Sequence, residues 1–374
     1  MKSNRIVVIG GGIVGLTIAW RLQQGGASVT VLERENAAGL EASWAAAGML
    51  SPFGENHSEG PMLEFGVQSL EQYPSFLSEL TAETGYAPEL CGPGMMRLVF
   101  SDSDLEARRK SALLATRHNH ASQWLSGDQV RALEPGVSSE CIGGVLSPDE
   151  VHLDPRLLCE AVRQAAVGAG VSILPHAEAC SFELSPSAVT GLRVNDERIL
   201  ADTYVVAAGA WSGKFARQLG LDVTIFPRKG QMIRVRPVGG VANVRYTLYM
   251  HSTYLVPRDD TVIVGATQEE VGFDRSLGRD VAADLLNSAV AIVPGLQDAE
   301  VLDHWMGFRP ATADTLPIIG FAPEHPNVYF ATAHLRNGIL LAPVTAKVAL
   351  DDILHDVHAQ QWSAFLPSRF WHTN

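Results

Sequence analysis

The stretch RIVVIGGGIVGLTIAWRLQQGGASVTVLER, residues 5–34, decides how this chain folds. Its apolar opening, Ile6 to Ile9, has the length of one buried strand. Gly10, Gly12 and Gly15 follow at the G-x-G-x-x-G spacing. Ile13 to Gln24 reads as a helix closed by Gly25-Gly26, and Ser28 to Leu32 as a second strand with Glu33 at its C-terminal end. Gly10 permits the tight turn, Gly12 lets a pyrophosphate approach the backbone, and Gly15 lets the helix pack close to the strand. The free N–H groups and positive dipole end of the helix receive the phosphates. Glu33 is placed to accept hydrogen bonds from the adenosine ribose. With both strands, the helix and the acid in register, the stretch specifies dinucleotide binding. It does not by itself separate FAD from NAD.

Working outward, 374 residues suggest two domains. The net charge of −13, with no basic block, argues against nucleic acid and anionic membrane surfaces. No apolar run is long enough to span a bilayer. The apolar N-terminal stretch enters the nucleotide fold at once and does not read as a signal peptide. Cys91, Cys141, Cys159 and Cys180 are scattered without a C-x-x-C pair and read as reduced, mostly buried thiols of a cytoplasmic protein. The histidines show no metal spacing, so no metal site is expected. A nucleophile elbow and a Walker A sequence are absent.

Beyond Arg34, Glu41 to Ala47 favours a short helix of small residues, broken at Gly48 to Pro52. It is either an ordinary alanine-rich helix or a surface for a flat ring. Pro61 to Thr81, Asp104 to His118, Ser126 to Leu133, Asp280 to Ile292 and Ile339 to His355 carry helical patterns. Asp154-Pro155 is an N-cap and first turn for a helix running to about Val167. Strands are expected at Met95 to Phe100, Ile142 to Leu146, Val171 to Leu174, Lys229 to Val235, Thr247 to Met250, Tyr254 to Pro257, Thr261 to Ala266, Val301 to Phe308 and Val328 to Ala333, with a hairpin over Phe182 to Val194. The buried strand TYVVAAGAWS, from Thr203, ends in small residues around Gly209, where it either abuts a cofactor or simply turns tightly.

Arg309 and Arg336 each follow an apolar strand, where open α/β folds place ligands. A guanidinium there either grips a carboxylate through two parallel hydrogen bonds or makes an ordinary surface ion pair. Tyr254 is either a pocket wall or a packed strand tyrosine. The helix start at Asn337-Gly338-Ile339 would aim its positive end at a flavin edge.

These motifs together resemble the D-amino-acid-oxidase-like FAD oxidoreductases, and within them the glycine oxidases of thiamine-thiazole synthesis. The matching stretches are IGGGIVG with Glu33-Arg34, ASWAAAGML, VHLDP, VVAAGAWS, KGQ, YLVPR, IVGAT, GFRPATADTLP and AHLRNGILLAP. The resemblance implies an α/β fold with a discontinuous Rossmann-like FAD-binding domain (residues 1–84, 149–222 and 308–374). It also implies an α+β substrate domain with a mostly antiparallel sheet (residues 85–148 and 223–307). It implies non-covalent FAD held by Gly10, Gly12, Ile13, Val14, Gly15, Glu33, Arg34, Ala42, Ser43, Ala47, Gly48, Met49, Ala179, Gly209 and the run His334, Leu335, Arg336, Asn337, Gly338, Ile339 and Leu340. Arg309 would hold a substrate carboxylate, with Tyr254 and Arg336 lining the same pocket. The implied partners are a small amino acid or amine and molecular oxygen, with a homo-oligomer left open. A dehydrogenase of the same fold, passing electrons to a quinone or carrier, is the alternative. Two positions depart from the pattern. Gln268 stands where a methionine is expected and Thr315 where a glycine is common, and both are expected near the pocket.

Overall fold

A computed structural model describes residues 4–55, 58–238 and 244–371. Residues 5–34 form a strand at Arg5–Ile9, a helix at Ile13–Gln24 and a strand at Ser28–Leu32. These enter a six-stranded sheet in the order Ile318–Ala322, His325–Thr332, Thr203–Val206, Arg5–Ile9, Ser28–Leu32, Ser172–Leu174. All neighbours are parallel except the edge strand Ile318–Ala322. A sheet covered on both faces needs apolar side chains on both. Ile6 and Val8 accordingly enter one core, with the helices Ile13–Gln24, Pro61–Thr84, Pro155–Gly168 and Gly338–Leu354, while Val7 and Ile9 enter another. That second core is covered by a three-stranded antiparallel sheet of Ala179–Ser185, Ala188–Val194 and Glu197–Ile199. The sequence reading has only a hairpin here. The third strand is too short and polar to show a period.

The second layer is an eight-stranded sheet in the order Glu300–Ala311, Phe226–Arg236, Thr261–Gly265, Thr253–Arg258, Thr247–Met250, Met95–Val99, Gly143–Ser147, Gln123–Ser126. It is antiparallel except where Thr247–Met250 lies parallel to Met95–Val99. Two stretches far apart in sequence thus share one sheet.

Helix ends follow local chemistry. Asp154 caps Pro155–Gly168 by accepting from the Arg156 and Leu157 amides, and Ser126 and Gln129 form a reciprocal capping box. Helix Pro61–Thr84 runs past the expected Thr81 and stops at left-handed Gly85. Helix Gly338–Leu354 contains Pro343, which has no N–H to give the Ile339 carbonyl. The Tyr73 hydroxyl donates to that carbonyl instead, and Ser69 donates to Leu340 O, tying the two helices together.

All four cysteines are free, but only Cys141 and Cys159 are buried. Strand alternation turns Cys180 outward, contrary to the expectation of mostly buried thiols. Burial pushes the Cys159 thiol up to about 12. Among the described residues no helix is long and apolar enough to cross a membrane, and no His/Cys/Asp/Glu group is arranged to hold a metal.

Candidate cofactor cleft and active site

A large cleft opens between the C-terminal ends of the parallel strands and one face of the eight-stranded sheet. The glycine turn forms one end. Gly10 has φ +107°, and a methyl there would sit 2.5 Å from Ala207 O. A methyl on Gly15 would collide with Gly10 O, so Gly15 sets the distance between helix and strand from beneath the cleft rather than lining it. A methyl on Gly12 would meet only Ser43 Oγ, at 3.4 Å, so the helix N-terminus lies open. Ser43 Oγ accepts from Ile13 N–H at 3.0 Å, which brings the small-residue segment against that terminus.

Glu33 is buried, and its carboxylate accepts from the Gly11 and Glu35 amides, each at 2.9 Å. Arg34 lies over Trp211, its Cζ 3.9 Å from the ring centre, and pairs with Glu41 at 2.8 Å. Trp211 was inside a stretch that the sequence singled out, yet nothing local marked it as a partner of Arg34.

Several quoted motifs serve to hold the segment 45–49 in the cleft wall. Arg258 donates to the Ala47 and Leu153 carbonyls and pairs with Asp154 at 2.8 Å. Trp305 Nε1 donates to Ala45 O at 3.1 Å, and Arg156 covers Trp44. Gly48 has φ +85°, and any side chain there would strike Leu153 O. At the far end of the cleft, Ala333 and Leu335 take left-handed backbone conformations and Leu335 N–H donates to Pro310 O at 3.1 Å. This turn sets the start of helix Gly338–Leu354 beside the end of the strand bearing Arg309. His334 is buried, 3.1 Å from Thr345 Oγ1, and burial pulls its pKa down to about 3, so the ring is neutral.

The sheet wall is built by register. Arg97, Tyr249, Tyr254, Gly265, Met232 and Trp305 form one row across six strands, and directly paired residues share a face. A methyl on Gly265 would run into the Tyr254 ring, and one on Gly230 into the Arg309 guanidinium. The two glycines therefore make the beds on which Tyr254 and Arg309 lie. Arg309 is half-buried and donates to Thr267 O at 3.0 Å. The sequence reading singled out neither glycine, because a glycine inside a strand gives only a weak sign of close approach.

All the residues expected to hold the cofactor line the cleft except Gly15 and Leu340, whose side chain is in the helical core. Arg309, Tyr254 and the exposed Arg336 line it as well. Met232, Gly230, Gly307 and Phe308 line it without having been anticipated. Gln268 and Thr315 are exposed and lie outside the lining, which corrects their expected place. Thr315 has φ +59°, so glycine suits that position for backbone reasons and not for substrate choice.

The family profile for FAD dependent oxidoreductases (DAO) matches residues 5–351. The chain belongs to this family. It is 38% identical to a bifunctional ThiO/ThiG protein of Synechocystis, with 98% of the chain but only 54% of that protein covered, so it spans about half that relative's length. It is 33% identical to a glycine oxidase of Bacillus licheniformis, with 96% of each covered. The crystal structure of glycine oxidase from Geobacillus kaustophilus superposes with a TM-score of 0.92 over all of both chains at 27% identity. The cofactor is FAD, and the cleft suits it: two helix N-termini, glycine and alanine backbone, and a cradle that a single Cβ would fill.

Proposed function

We propose that this protein catalyses oxidative deamination of glycine and small amines such as sarcosine and small D-amino acids. The products are the imine or, after its hydrolysis by water, the 2-oxo acid with ammonia (methylamine from sarcosine), together with hydrogen peroxide. FAD supplies the hydride acceptor, at flavin N5, and the protein supplies binding, orientation and electrostatics. The observation that carries the reading is Arg309 and Tyr254, set over Gly230 and Gly265 on the wall facing two helix N-termini.

In this reading, Gly10, Gly12, Ile13 and Val14 receive the pyrophosphate and Glu33 the adenosine ribose. Arg34, Ala42, Ser43, Ala47, Gly48, Met49, Ala179 and Gly209 line the body of FAD. The run His334 to Ile339 would hold the flavin ring, and the dipole of helix Gly338–Leu354 would favour negative charge developing there. Binding is non-covalent in this reading, and no cysteine that could tether the flavin lines the cleft among the described residues. Arg309 grips the substrate carboxylate by two parallel hydrogen bonds, and Tyr254 closes the pocket and adds a third. A carboxylate fixed at that point presents the α-carbon to the flavin in one orientation. The amine must be unprotonated, so its lone pair forms the C=N bond as the α-hydrogen leaves with its electron pair. Arg336 at the rim attracts the substrate anion. The likeness to the ThiO/ThiG protein supports a place in thiamine (thiazole) synthesis.

Anaerobic mixing with glycine, sarcosine and D-alanine tests this. Bleaching of the flavin absorption by glycine, with recovery and peroxide release in air, is expected. Bleaching without recovery in air identifies a dehydrogenase instead. Arg309→Ala should retain the bound-flavin spectrum while the apparent affinity for glycine collapses. Unchanged affinity would remove Arg309 from the assigned role.

A further inference from the structure

The KGQ stretch, Lys229 to Gln231, has a lysine and a glutamine whose purpose the reaction leaves unexplained. Lys229 is 2% exposed. Its ammonium donates to Ser276 O at 2.5 Å and lies 3.6 Å from Glu269 and 4.0 Å from Asp274. Its backbone exchanges two hydrogen bonds with Glu269. Gln231 Nε2 donates to Glu269 Oε1 at 2.8 Å, Gln231 Oε1 accepts from Gly278 N–H at 3.3 Å, and Gln231 N–H donates to Thr267 Oγ1 at 2.8 Å. Every one of these partners belongs to the segment 267–278.

That segment is mostly exposed and lies between the strand Thr261–Gly265 and the helix Val281–Ile292 without a core of its own. Such a segment is ordered only by what pins its ends and middle. It nevertheless touches cleft residues through Thr267, Phe273 and Arg275. Thr267 O anchors the Arg309 guanidinium. Phe273 stacks on Trp211 with ring centres 4.9 Å apart, on the residue that also carries Arg34, and Arg275 bonds to Glu41.

We propose that Lys229 and Gln231 are positioning residues: they clasp the segment 267–278 so that it both fixes Arg309 for the carboxylate and closes the cleft over the cofactor at Trp211. One buried ammonium, with acidic groups on the segment it holds, thereby couples substrate grip to cofactor retention. The carboxylate half rests on the reading of Arg309 given above; the cofactor half does not.

The test uses the FAD-loaded full chain and follows two quantities, the FAD dissociation constant from flavin fluorescence and steady-state glycine oxidation by oxygen uptake. Lys229→Met should raise the FAD dissociation constant and the KM for glycine each by about tenfold while kcat stays within about twofold, the signature of lost ground-state positioning. Glu269→Gln should move both in the same direction by less. In a Phe273→Ala background, the further loss of FAD caused by Lys229→Met should shrink below about twofold, because the contact it acts through is already gone. Unchanged FAD affinity and KM in folded Lys229→Met overturn the proposal, as do losses from Lys229→Met and Phe273→Ala that simply multiply. Should Lys229→Met fail to fold, Glu269→Gln and Arg275→Ala decide: no change in FAD affinity in either overturns it. A wild-type enzyme that oxidises no glycine would refute the substrate assignment alone, and the FAD measurements would still decide the clasp.

Discussion

Gly230→Ala isolates the role of Arg309 without removing its charge. The added methyl would lie inside van der Waals distance of three atoms of the guanidinium, Cζ and both terminal nitrogens. These atoms are coplanar, so tipping the group clears one and not the others, and the whole plane must lift by roughly 1 Å to restore ordinary contact. The group that moves is the far end of a flexible, half-buried side chain. Overpacking should therefore cost only about 1 kcal/mol of stability, the low end for inserted methyls. Function should suffer much more. Lifting the guanidinium pulls it from Thr267 O and displaces the carboxylate grip by a distance that typically costs about 100-fold, or about 2.7 kcal/mol, in kcat/KM. The assay is kcat/KM for glycine by oxygen uptake, with a thermal melt and flavin fluorescence on the same samples. Gly307→Ala is the matched control. It lies on the same face but pushes on Ala45, so it should weaken FAD binding rather than substrate affinity. If kcat/KM in Gly230→Ala stays within about twofold of wild type, Arg309 does not act from where it lies.

Glu150→Gln probes the buried pair of Arg97 and Glu150, whose carboxylate also accepts from the Phe53 and Gly54 amides. Leaving Arg97 buried without its counter-charge should cost about 3–5 kcal/mol in urea unfolding, and the double variant Arg97→Met/Glu150→Gln should cost clearly less than the two singles added; additive losses would refute the pairing argument. Acidification should destabilise the fold through His334 and His152, whose pKa values burial lowers to about 3 and about 4. Both rings protonate near their ordinary 6.5 only in the unfolded chain. Their contribution is therefore complete above pH 6.5 and is lost as the pH falls from there toward about 4 for His152 and about 3 for His334, at up to about 1.4 kcal/mol per pH unit for each ring. His152→Gln should flatten that slope in pH-dependent melts, and an unchanged slope would refute the assignment.

What the sequence determined by itself is local. Residues 5–34 specify strand, turn, helix and acid because each signal acts within a few residues: a glycine that permits φ +107° at Gly10, an apolar run, a helix stop. The same holds for Asp154-Pro155, whose cap is made to its own next residues. What only the tertiary structure decided is pairing. Nothing near Met95 says that its strand lies parallel to Thr247–Met250, or that Arg97 in that strand meets Glu150. Gln268 and Thr315 were placed near the pocket by motif adjacency, but the chain turns them outward. Arg309 and Tyr254 were legible as candidates because a guanidinium and a phenol carry recognisable chemistry. The glycines that make room for them were not, because a missing side chain acquires meaning only from what crosses over it. That crossing is set by cross-strand register, a sum of distant apolar burials and ladder hydrogen bonds that no local window of sequence contains.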